Sequence, residues 1–452
     1  SWITLESPSP ATATNIYTFN ISALSDATLR TDSIIVSGPG ANSVTVKVTQ
    51  TTEQYPSFAV ISDVHFGNST GEGPMVKVPR ALKNLSSYKK LDAIFVVGDL
   101  ANSGAADEYQ QLVSVFGDST NYIYPIDRKV FMLGNHDNFS DIYNYANGLR
   151  PFNNGNLYPY DQYMVIKGYP FITISPRSGN AEDDTKASYG VDSYPKSVQD
   201  TLSKWLERAA TQCPGKPIFV FTHIPPKYTC YCSWPGEGAG TATPTWSMEV
   251  LNPILNKYPQ AVVFAGHGHY PLGDPRSIHQ GVNPNSTRQN YYTVVNTGST
   301  TYCEIEEPAL DEGGYPDGYD NVTEGLIASV EPAGNVEIQR YDTRRNEEIQ
   351  PKAPWLIKAP FDGSQFQYGD MRDADDNVNG KTIRTGLPAP VFASDAKPVI
   401  KTTGTGVVVK FPQAKGNDDN IVFRYLVRIN SNKGYAIRNS WVFSGYYKNS
   451  DM

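Results

Sequence analysis

The pattern of hydrophobic and polar residues differs along the chain and divides it into three stretches. From residue 1 to 54, short β-rich runs alternate with Gly, Pro, Asn and Ser turns, which is typical of a small all-β sandwich. From 55 to 348, strand and helix patterns alternate, which predicts a layered α/β domain with a β-rich second half. A Pro-rich joint lies at residues 350–354, and strand patterns return within a β-rich C-terminal region, residues 349–452.

Several apolar runs in the middle stretch are continuous instead of alternating. Such runs are expected of strands that are covered on both faces. Apolar positions at three- and four-residue steps predict helices between them. The predicted strands are 58–61, 93–97, 129–133, 170–174, 218–221 and 261–265, the predicted helices are 78–89, 106–116, 197–210 and 248–257, and residues 325–341 are predicted to form a hairpin.

Composition narrows the class of protein. The 452 residues include 37 Gly, 33 Pro and 29 Tyr, a usage that favours β-structure with many turns. The net charge of −8 argues against a nucleic-acid-binding patch, so an anionic substrate would need a local attraction such as bound metal ions. No apolar run is long enough for a transmembrane segment.

The four cysteines, Cys213, Cys230, Cys232 and Cys303, leave the redox state open. They allow three fully paired connectivities, and four unpaired thiols are an equal alternative. Because Cys230 and Cys232 are too close in sequence to pair easily, a bridge from one of them to a more distant cysteine is the favoured pairing.

Five of the predicted strands end in polar groups of the same kind. The carboxyl ends of strands in open α/β sheets are where ligands bind, and packing does not explain Asp, Asn and His at five such ends. Five of the six histidines lie in these groups, whereas His279 lies in a polar, turn-rich stretch and is predicted to be a surface loop residue. The groups are Asp63-Val64-His65, Gly98-Asp99, Gly134-Asn135-His136-Asp137, His223 and Gly266-His267-Gly268-His269.

In this order, the five groups resemble the motifs of the calcineurin-like metallophosphoesterases, and the resemblance covers roughly residues 55–348. It implies a central β-sandwich flanked by helices, with a two-metal site on one edge. By this resemblance, His136 is the catalytic histidine, which contacts the substrate phosphate. The implied ligands are Asp63, His65 and His269 for the first metal and Asn135, His223 and His267 for the second, with Asp99 bridging the two.

The ligand types indicate the metals and the reaction. Mixed imidazole and carboxylate ligands suit manganese, zinc or iron better than calcium. A carboxylate that bridges two such ions would hold them about 3.5–4 Å apart, where they share one hydroxide and lower its pKa. That hydroxide would attack phosphorus in line, while His136 donates a proton to the leaving group or stabilises charge on a phosphate oxygen. Asp137 is a candidate partner behind the site, with a solvated turn carboxylate as the equal alternative.

Asn102, three residues after Asp99, separates this sequence from two subfamilies. Purple acid phosphatases carry a metal-binding Tyr at that position and lack the His of the first motif, and protein phosphatases carry an Asp followed by Arg. The sequence Asn102-Ser103 disfavours both. An Asn could accept a hydrogen bond from His136, but it would not raise the pKa of that histidine as a carboxylate does.

A long insert after His223 is rich in aromatic residues. It contains Tyr228, Tyr231 and Trp234, and Tyr270 directly follows the last histidine group. Aromatic side chains beside a metal site often stack on a base or a sugar, which would place substrate selection in this loop. The alternative is that these rings pack the insert onto the domain.

The flanking stretches carry looser resemblances. Residues 1–54 open with Ser-Trp-Ile, close with Val-Thr-Val-Lys-Val-Thr-Gln, and resemble the BACON β-sandwich modules. That resemblance implies an extracellular or periplasmic setting, attachment to a cell surface and contact with surface glycans. The alternative is that residues 1–54 are a spacer that holds the next domain away from a surface. Residues 421–429 resemble the middle strands of a fibronectin type III module, of which residues 349–452 would hold a part.

The leading hypothesis is a metal-dependent phosphoric-ester hydrolase that acts on a monoester or a diester. One alternative is a nucleotide pyrophosphatase or nucleotidase, favoured if the aromatic insert binds a base. Another is a surface binding protein that has kept the fold without activity, and the complete set of ligand residues argues against it.

Overall fold

The structure is a computed structural model that describes residues 3–8, 17–21, 29–36, 42–51, 54–138, 140–177, 194–233, 247–282, 289–304, 319–349, 353–369, 390–414, 422, 424–434 and 436–443. The chain divides into two compact units, Ser1–Tyr55 with Val330–Asn335, and Pro56–Ser329 with Val336–Met452. No helix within the described ranges is long and apolar enough to cross a membrane.

The described part of the first unit consists of antiparallel strand pairs. β1 (Ile3–Pro8) pairs with β2 (Tyr17–Ile21), and β3 (Leu29–Val36) pairs with β4 (Val44–Thr51). The short β-rich runs of the sequence are therefore strands, as predicted. The BACON-like sandwich stays a prediction.

Strands and helices alternate along the second unit before strands take over. The helices are α1 (Pro74–Tyr88), α2 (Ala106–Gly117), α3 (Tyr143–Gly148), α4 (Lys196–Gln212) and α5 (Asn252–Leu255). The strands are β5 (Ser57–Ile61), β6 (Ala93–Val97), β7 (Arg128–Met132), β8 (Gln162–Ile166), β9 (Tyr169–Ile174), β10 (Ile218–Thr222), β11 (Ala261–Ala265), β12 (Ile278–Val282), β13 (Gln289–Asn296), β14 (Glu324–Val330), β15 (Val336–Asp342), β16 (Glu347–Glu348), β17 (Trp355–Ile357), β18 (Val399–Thr403), β19 (Gly406–Lys410), β20 (Arg424–Asn430) and β21 (Ala436–Phe443).

Two mixed sheets form the centre of this unit. The first has the strand order β16-β15-β14-β5-β6-β7, with β17 beside β15, and the second has the order β12-β13-β11-β10-β9-β8. In the first sheet β5, β6 and β7 run parallel, and in the second β9, β10, β11 and β13 run parallel. Parallel neighbours end at the same edge of a sheet, which brings the polar groups of the sequence together.

Phenylalanine side chains pack between the two sheets. Phe58 and Phe95 of the first sheet contact Phe219 and Phe221 of the second, with ring centroids 4.9 Å apart for Phe58 and Phe219 and 4.0 Å apart for Phe95 and Phe221. Successive residues of a strand point to opposite faces of its sheet. The strand neighbours of these phenylalanines therefore point away from the opposing sheet.

Helices cover the outer face of each sheet. On the first sheet, Ile94 shares a buried cluster with Leu82 of α1 and Leu112 of α2. On the second, Val220 shares a buried cluster with Leu206 of α4. The predicted fold class, a central β-sandwich flanked by helices within an α/β domain, is confirmed.

The local predictions for this domain are confirmed for strands and partly wrong for helices. Each of the six continuous apolar runs is a strand, and residues 325–341 form the neighbouring strands β14 and β15. Helix α1 begins at Pro74 and not at residue 78, because proline is tolerated in a first turn. The predicted helix 248–257 is a 3₁₀ turn followed by the short α5, since Pro253 provides no backbone N–H.

The prediction that His279 is a surface loop residue is wrong. His279 lies in β12, pairs with Val294 of β13 and is only 3% exposed. The adjacent Gln280 donates a hydrogen bond to the hydroxyl of Thr293 at 3.0 Å inside the same sheet. Polar side chains can be buried in a sheet when they form hydrogen bonds with one another. Such a strand has the polar composition of a turn, which explains why His279 was predicted to lie in a loop.

The strand patterns of the C-terminal region are confirmed where the structure describes them. β18 pairs with β19, and β20 pairs with β21, both antiparallel. Residues 350–352 of the Pro-rich joint lie outside the described residues. The fibronectin-like module stays a prediction.

Candidate metal centre

The loops that follow the strand ends are tied to one another by backbone hydrogen bonds. The N–H of Asp63 donates to the carbonyl of Gly98 at 3.1 Å, and the N–H of His65 donates to the carbonyl of Asp99 at 2.9 Å. From the second sheet, the N–H of His267 donates to Oδ1 of Asp63 at 3.2 Å. Three of the polar groups, from two different sheets, therefore meet at one place.

The backbone at this place adopts an unusual conformation. Five of its residues have φ between 43° and 72°, in the left-handed region that side chains with a Cβ rarely adopt. Such residues persist only where the surrounding structure enforces them, and they concentrate at functional sites. The five are Asp63, His65, Asp99, His267 and His269.

Glycines allow the side chains of the site to come close to the backbone. A Cβ on Gly134 would collide with the carboxylate and the backbone N of Asp99, and a Cβ on Gly98 would collide with the ring of His223. The glycines that precede these polar groups are therefore required by close approach.

Two clusters of buried ligand atoms result, and they share Asp99. In each cluster the donor atoms all lie within 4.8 Å of one another. The first cluster is Asp63, His65, Asp99 and His269, and the second is Asp99, His223 and His267. Asn135 joins the second, since its Oδ1 lies 3.1 Å from Nε2 of His223.

Within the first cluster, Nε2 of His269 lies 3.0 Å from Oδ1 of Asp63 and 3.3 Å from Nε2 of His65. Within the second, Nε2 of His223 lies 3.3 Å from Oδ2 of Asp99. The same Asp99 oxygen lies 3.7 Å from Nε2 of His65, so it faces both clusters.

Backbone carbonyls orient two of the imidazole rings. Nδ1 of His223 lies 2.8 Å from the carbonyl of Val97, and Nδ1 of His269 lies 3.2 Å from the carbonyl of Tyr302. Because a carbonyl only accepts, each Nδ1 carries the hydrogen and donates it. The Nε2 atom of each ring is then directed at the cluster, as in histidines that bind metals.

The electrostatics of the clusters favour a cation. Burial lowers the pKa of His65 and of His267 to about 3, so both rings are neutral, the form in which an imidazole binds a metal. Burial alone would raise the pKa of Asp99, but facing histidines, above all His223, hold it well below its usual range. Burial alone would lower the pKa of His223, and the Asp99 carboxylate instead raises it to about 9. Ionised carboxylates thus bind positive charge here, and a metal ion can replace the protons.

The donor set fits divalent transition metals. It combines imidazole nitrogens, carboxylate oxygens and one amide oxygen, which suits zinc, iron and manganese better than calcium. Its members are buried, with His267 the most exposed of the histidines at 6%.

His136 lies at the rim of the clusters and is partly exposed. Its backbone N–H donates to Oδ1 of Asp99 at 2.9 Å, and its ring centroid lies 4.7 Å from that of His65. Its Nδ1 lies 2.8 Å from the backbone carbonyl of Asn102. Asn102 therefore accepts from His136 through its backbone carbonyl, while its side-chain oxygen accepts a hydrogen bond from Asn68 at 3.4 Å.

Asp137 is fully buried, so the alternative of a solvated turn carboxylate is excluded. It accepts hydrogen bonds from the N–H groups of Leu100 and Ala101 at 3.1 and 3.0 Å, from the hydroxyl of Tyr109 at 2.8 Å and from the N–H of Gly134 at 2.7 Å. It therefore joins the loop after β6 to the loop after β7. Burial raises its pKa to about 6.

The predicted substrate loop is only partly described, and two of its rings need a correction. Tyr231 and Tyr270 have no exposed surface, with ring centroids 4.0 Å apart. The guanidinium of Arg276 lies 3.7 Å from the centroid of Tyr231. These rings pack the insert onto the domain, since burying them removes a large apolar area from water, and they present no face to a substrate.

Tyr228 is partly exposed and lies against the ammonium group of Lys227, at 4.9 Å from the ring centroid. Trp234 lies outside the described residues. The side chains of all four cysteines are buried.

Sequence reasoning missed the segment after β13. The hydroxyl of Thr301 donates to the carbonyl of Asp63 at 2.7 Å, and the N–H of Glu304 donates to the carbonyl of His269 at 3.0 Å. The ring of Tyr302 lies against the rings of His269 and His65. Only its place in the chain could have pointed to the site: it follows β13, which runs parallel to β11 and ends at the same edge of the sheet.

This architecture defines an α/β protein with a site for divalent metal ions where its two sheets meet. Residues 56–271 match the model of the family described as calcineurin-like phosphoesterase, so this part of the chain is a calcineurin-like phosphoesterase domain. A comparison with curated proteins returns no significant match.

Solved structures with a similar chain path include phosphoesterases. One is the purple acid phosphatase PPD1 from yellow lupin (Lupinus luteus), with 11% identity, a TM-score of 0.46, and coverage of 75% of this chain and 61% of that one. Another is the NAD nucleotidase of Haemophilus influenzae, with 15% identity, a TM-score of 0.34, and coverage of 67% of this chain and 50% of that one. The chain thus spans about half to three fifths of the length of these proteins.

Proposed function

We propose that the chain is a metal-dependent phosphoric-ester hydrolase that uses two metal ions at the described clusters. The observation that supports this most strongly is the sharing of Asp99 by two buried sets of ligand atoms. Bound metal ions would neutralise the phosphate oxygens and acidify the attacking water. Manganese, zinc and iron are the candidates.

The protein side chains take the following roles in this proposal. Asp63, His65 and His269 hold the first ion, and Asp99 faces both ions. His136 is the catalytic residue. Its Nδ1 donates to the carbonyl of Asn102, which leaves Nε2 as the atom that meets a phosphate oxygen or the leaving group. Asn135, His223 and His267 hold the second ion.

The partly exposed position of His136 supports its role, because a substrate must reach it from solvent. Its backbone N–H also donates to the Asp99 carboxylate, and its Nδ1 donates to the Asn102 carbonyl, so that backbone and ring are both held beside the clusters. A residue fixed in this way loses little entropy when the substrate binds.

The nucleotide alternative draws no support from Tyr231 and Tyr270, which are buried against each other, and it stays open for the rest of the insert. The extracellular or periplasmic setting and the glycan contact remain proposals that depend on the BACON-like resemblance of residues 1–54.

Hydrolysis of a chromogenic phosphomonoester and of the matching diester, with manganese or zinc added, tests the proposal. Wild type should turn over at least one of the two. His136→Ala and His136→Asn should lose about 10²–10⁴-fold in kcat and keep the same metal content, because His136 contacts the substrate and not the metals. A metal-loaded wild type that hydrolyses neither ester would contradict the proposal.

A further inference from the structure

Tyr302 lies beside the first cluster and is partly exposed. Its ring centroid is 4.2 Å from that of His269, with the two ring planes 35° apart. It is 5.6 Å from the ring of His65, at 30°. One aromatic ring thus borders two of the imidazoles that surround the cluster, and it belongs to a residue that is partly exposed.

The backbone of Tyr302 is fixed from several sides. Its carbonyl accepts a hydrogen bond from Nδ1 of His269, and its N–H donates to the hydroxyl oxygen of Ser299 at 3.3 Å. On one side of it, Thr301 is bonded to the carbonyl of Asp63, and on the other, Glu304 is bonded to the carbonyl of His269. The backbone that carries the ring is therefore fixed relative to the cluster.

A lysine anchors the same segment from behind. Lys77 of α1 is 1% exposed, and its ammonium group donates to the carbonyl of Thr301 at 2.5 Å and to the carbonyl of Asp320 at 2.7 Å. A buried ammonium group bonded to two carbonyls restrains both loops. Tyr302 thus extends from a rigid support, which is the arrangement that a selective site needs.

We propose that Tyr302 determines specificity at this site by stacking its ring on a planar aromatic group carried by the phosphate ester. The inference rests on the proposed function for the identity of the site. The substrate class it names is aryl phosphates, in which the ring attached to the ester oxygen lies next to the phosphate. A flat ring held beside the cluster favours a flat leaving group, because offset stacking and the burial of two ring faces both stabilise the complex.

Binding of two non-hydrolysable phosphonates to the manganese-loaded protein, measured by titration calorimetry, tests the proposal. Phenylphosphonate and methylphosphonate share the anionic group and differ in the ring. Wild type should bind phenylphosphonate about tenfold more tightly, which corresponds to about 1.4 kcal/mol. Tyr302→Ala should abolish this preference, and Tyr302→Phe should keep it, because the ring and not the hydroxyl makes the contact.

Tyr124→Ala is the matched control, since Tyr124 is 47% exposed and precedes β7, at the opposite end of that strand from the site. It should bind both phosphonates as wild type does. The proposal is overturned if wild type shows no preference, if it binds neither phosphonate, or if Tyr302→Ala keeps the full preference. Because binding is measured without turnover, a failure of the hydrolase proposal would appear separately in the ester assay.

Discussion

At the scale of single residues, Asp99 depends on the absence of a side chain at Gly134. The Asp99 carboxylate faces both clusters and accepts the backbone N–H of His136 at 2.9 Å. It also lies so close to Gly134 that any Cβ there would collide with it. The smallest possible change at position 134 should therefore act on the metal centre.

We expect Gly134→Ala to lose bound metal and activity while it retains the fold. The added methyl group has to displace the Asp99 carboxylate or the loop after β7, and a displaced shared ligand weakens both clusters. Metal analysis and circular dichroism measure the two effects. Gly117→Ala is the control, because a Cβ at Gly117 meets nothing within 4 Å. Equal metal content in the two variants would contradict the expectation.

The sequence predicts which side chains form the site better than it predicts the groups that these side chains contact. Asp63, Asp99 and His223 were found because each follows an apolar strand that the sequence marks clearly. The contact of His136 with the Asn102 carbonyl was missed, since a backbone acceptor is independent of residue type. Tyr302 was missed for a different reason, because a tyrosine in a turn is far more common than one at a metal site.

At the scale of elements, the segment from Ser299 to Glu304 connects α1 with the first cluster. Lys77 binds it from the helix side, and Thr301 binds Asp63 from the other. The position of a carboxylate in the metal centre thus depends on a lysine in a helix that contributes no ligand.

Lys77→Met should destabilise the fold by about 2–4 kcal/mol, because the buried carbonyl of Thr301 and the partly buried carbonyl of Asp320 lose a charged donor. It should also weaken metal binding, because the bond from Thr301 to Asp63 is no longer supported. Urea unfolding and metal titration provide the two measurements. Lys83→Met, at an exposed position of the same helix, should change neither. An unaltered metal affinity in Lys77→Met would show that the segment does not position the ligands.

Elements that are buried on both sides are the ones that the sequence predicts correctly. β6 consists of apolar residues only and β10 of apolar residues followed by Thr222, and all of these residues are buried. β12 was missed because buried polar partners such as Gln280 and Thr293 satisfy each other. α5 was predicted too long, because periodicity alone does not show where Pro253 interrupts the backbone hydrogen bonds.

At the scale of the whole molecule, a buried carboxyl connects the two sheets of the second unit. Oε2 of Glu324, in β14, accepts the N–H of Leu272, which follows β11, at 2.9 Å. Burial raises the pKa of Glu324 to about 8, while the nearby Arg340 opposes the shift. A carboxyl with a raised pKa in the folded state stabilises the protein while protonated and destabilises it once ionised.

The free energy of unfolding should therefore fall as the pH rises from the usual glutamate pKa, 4.5, towards 8. Glu324→Gln keeps an oxygen for the N–H of Leu272 and cannot ionise, so it should reduce this fall. Urea unfolding at several pH values, for wild type and Glu324→Gln side by side, measures it. Parallel pH profiles for the two proteins would refute the assignment of the fall to Glu324.

The three-domain division, 1–54, 55–348 and 349–452, stays a prediction. Changes in the hydrophobic and polar pattern show where β-rich runs begin and end. They do not show which of these runs pack into the same hydrophobic core. The contacts of the chain group Val336–Met452 with Pro56–Ser329. Such long-range contacts depend on which strands pair, and local patterns leave that choice open.

The metal content of the purified protein, measured by mass spectrometry after metal loading and removal of excess metal, tests the central claim most directly. Wild type should hold about two ions per chain, as a site with a shared carboxylate does. Asp99→Asn should hold fewer than wild type, because both clusters lose a shared anionic ligand, and Asp107→Asn, on the first turn of α2, should match wild type. A wild type that binds no metal, or an Asp99→Asn variant with the full metal content, would contradict the account.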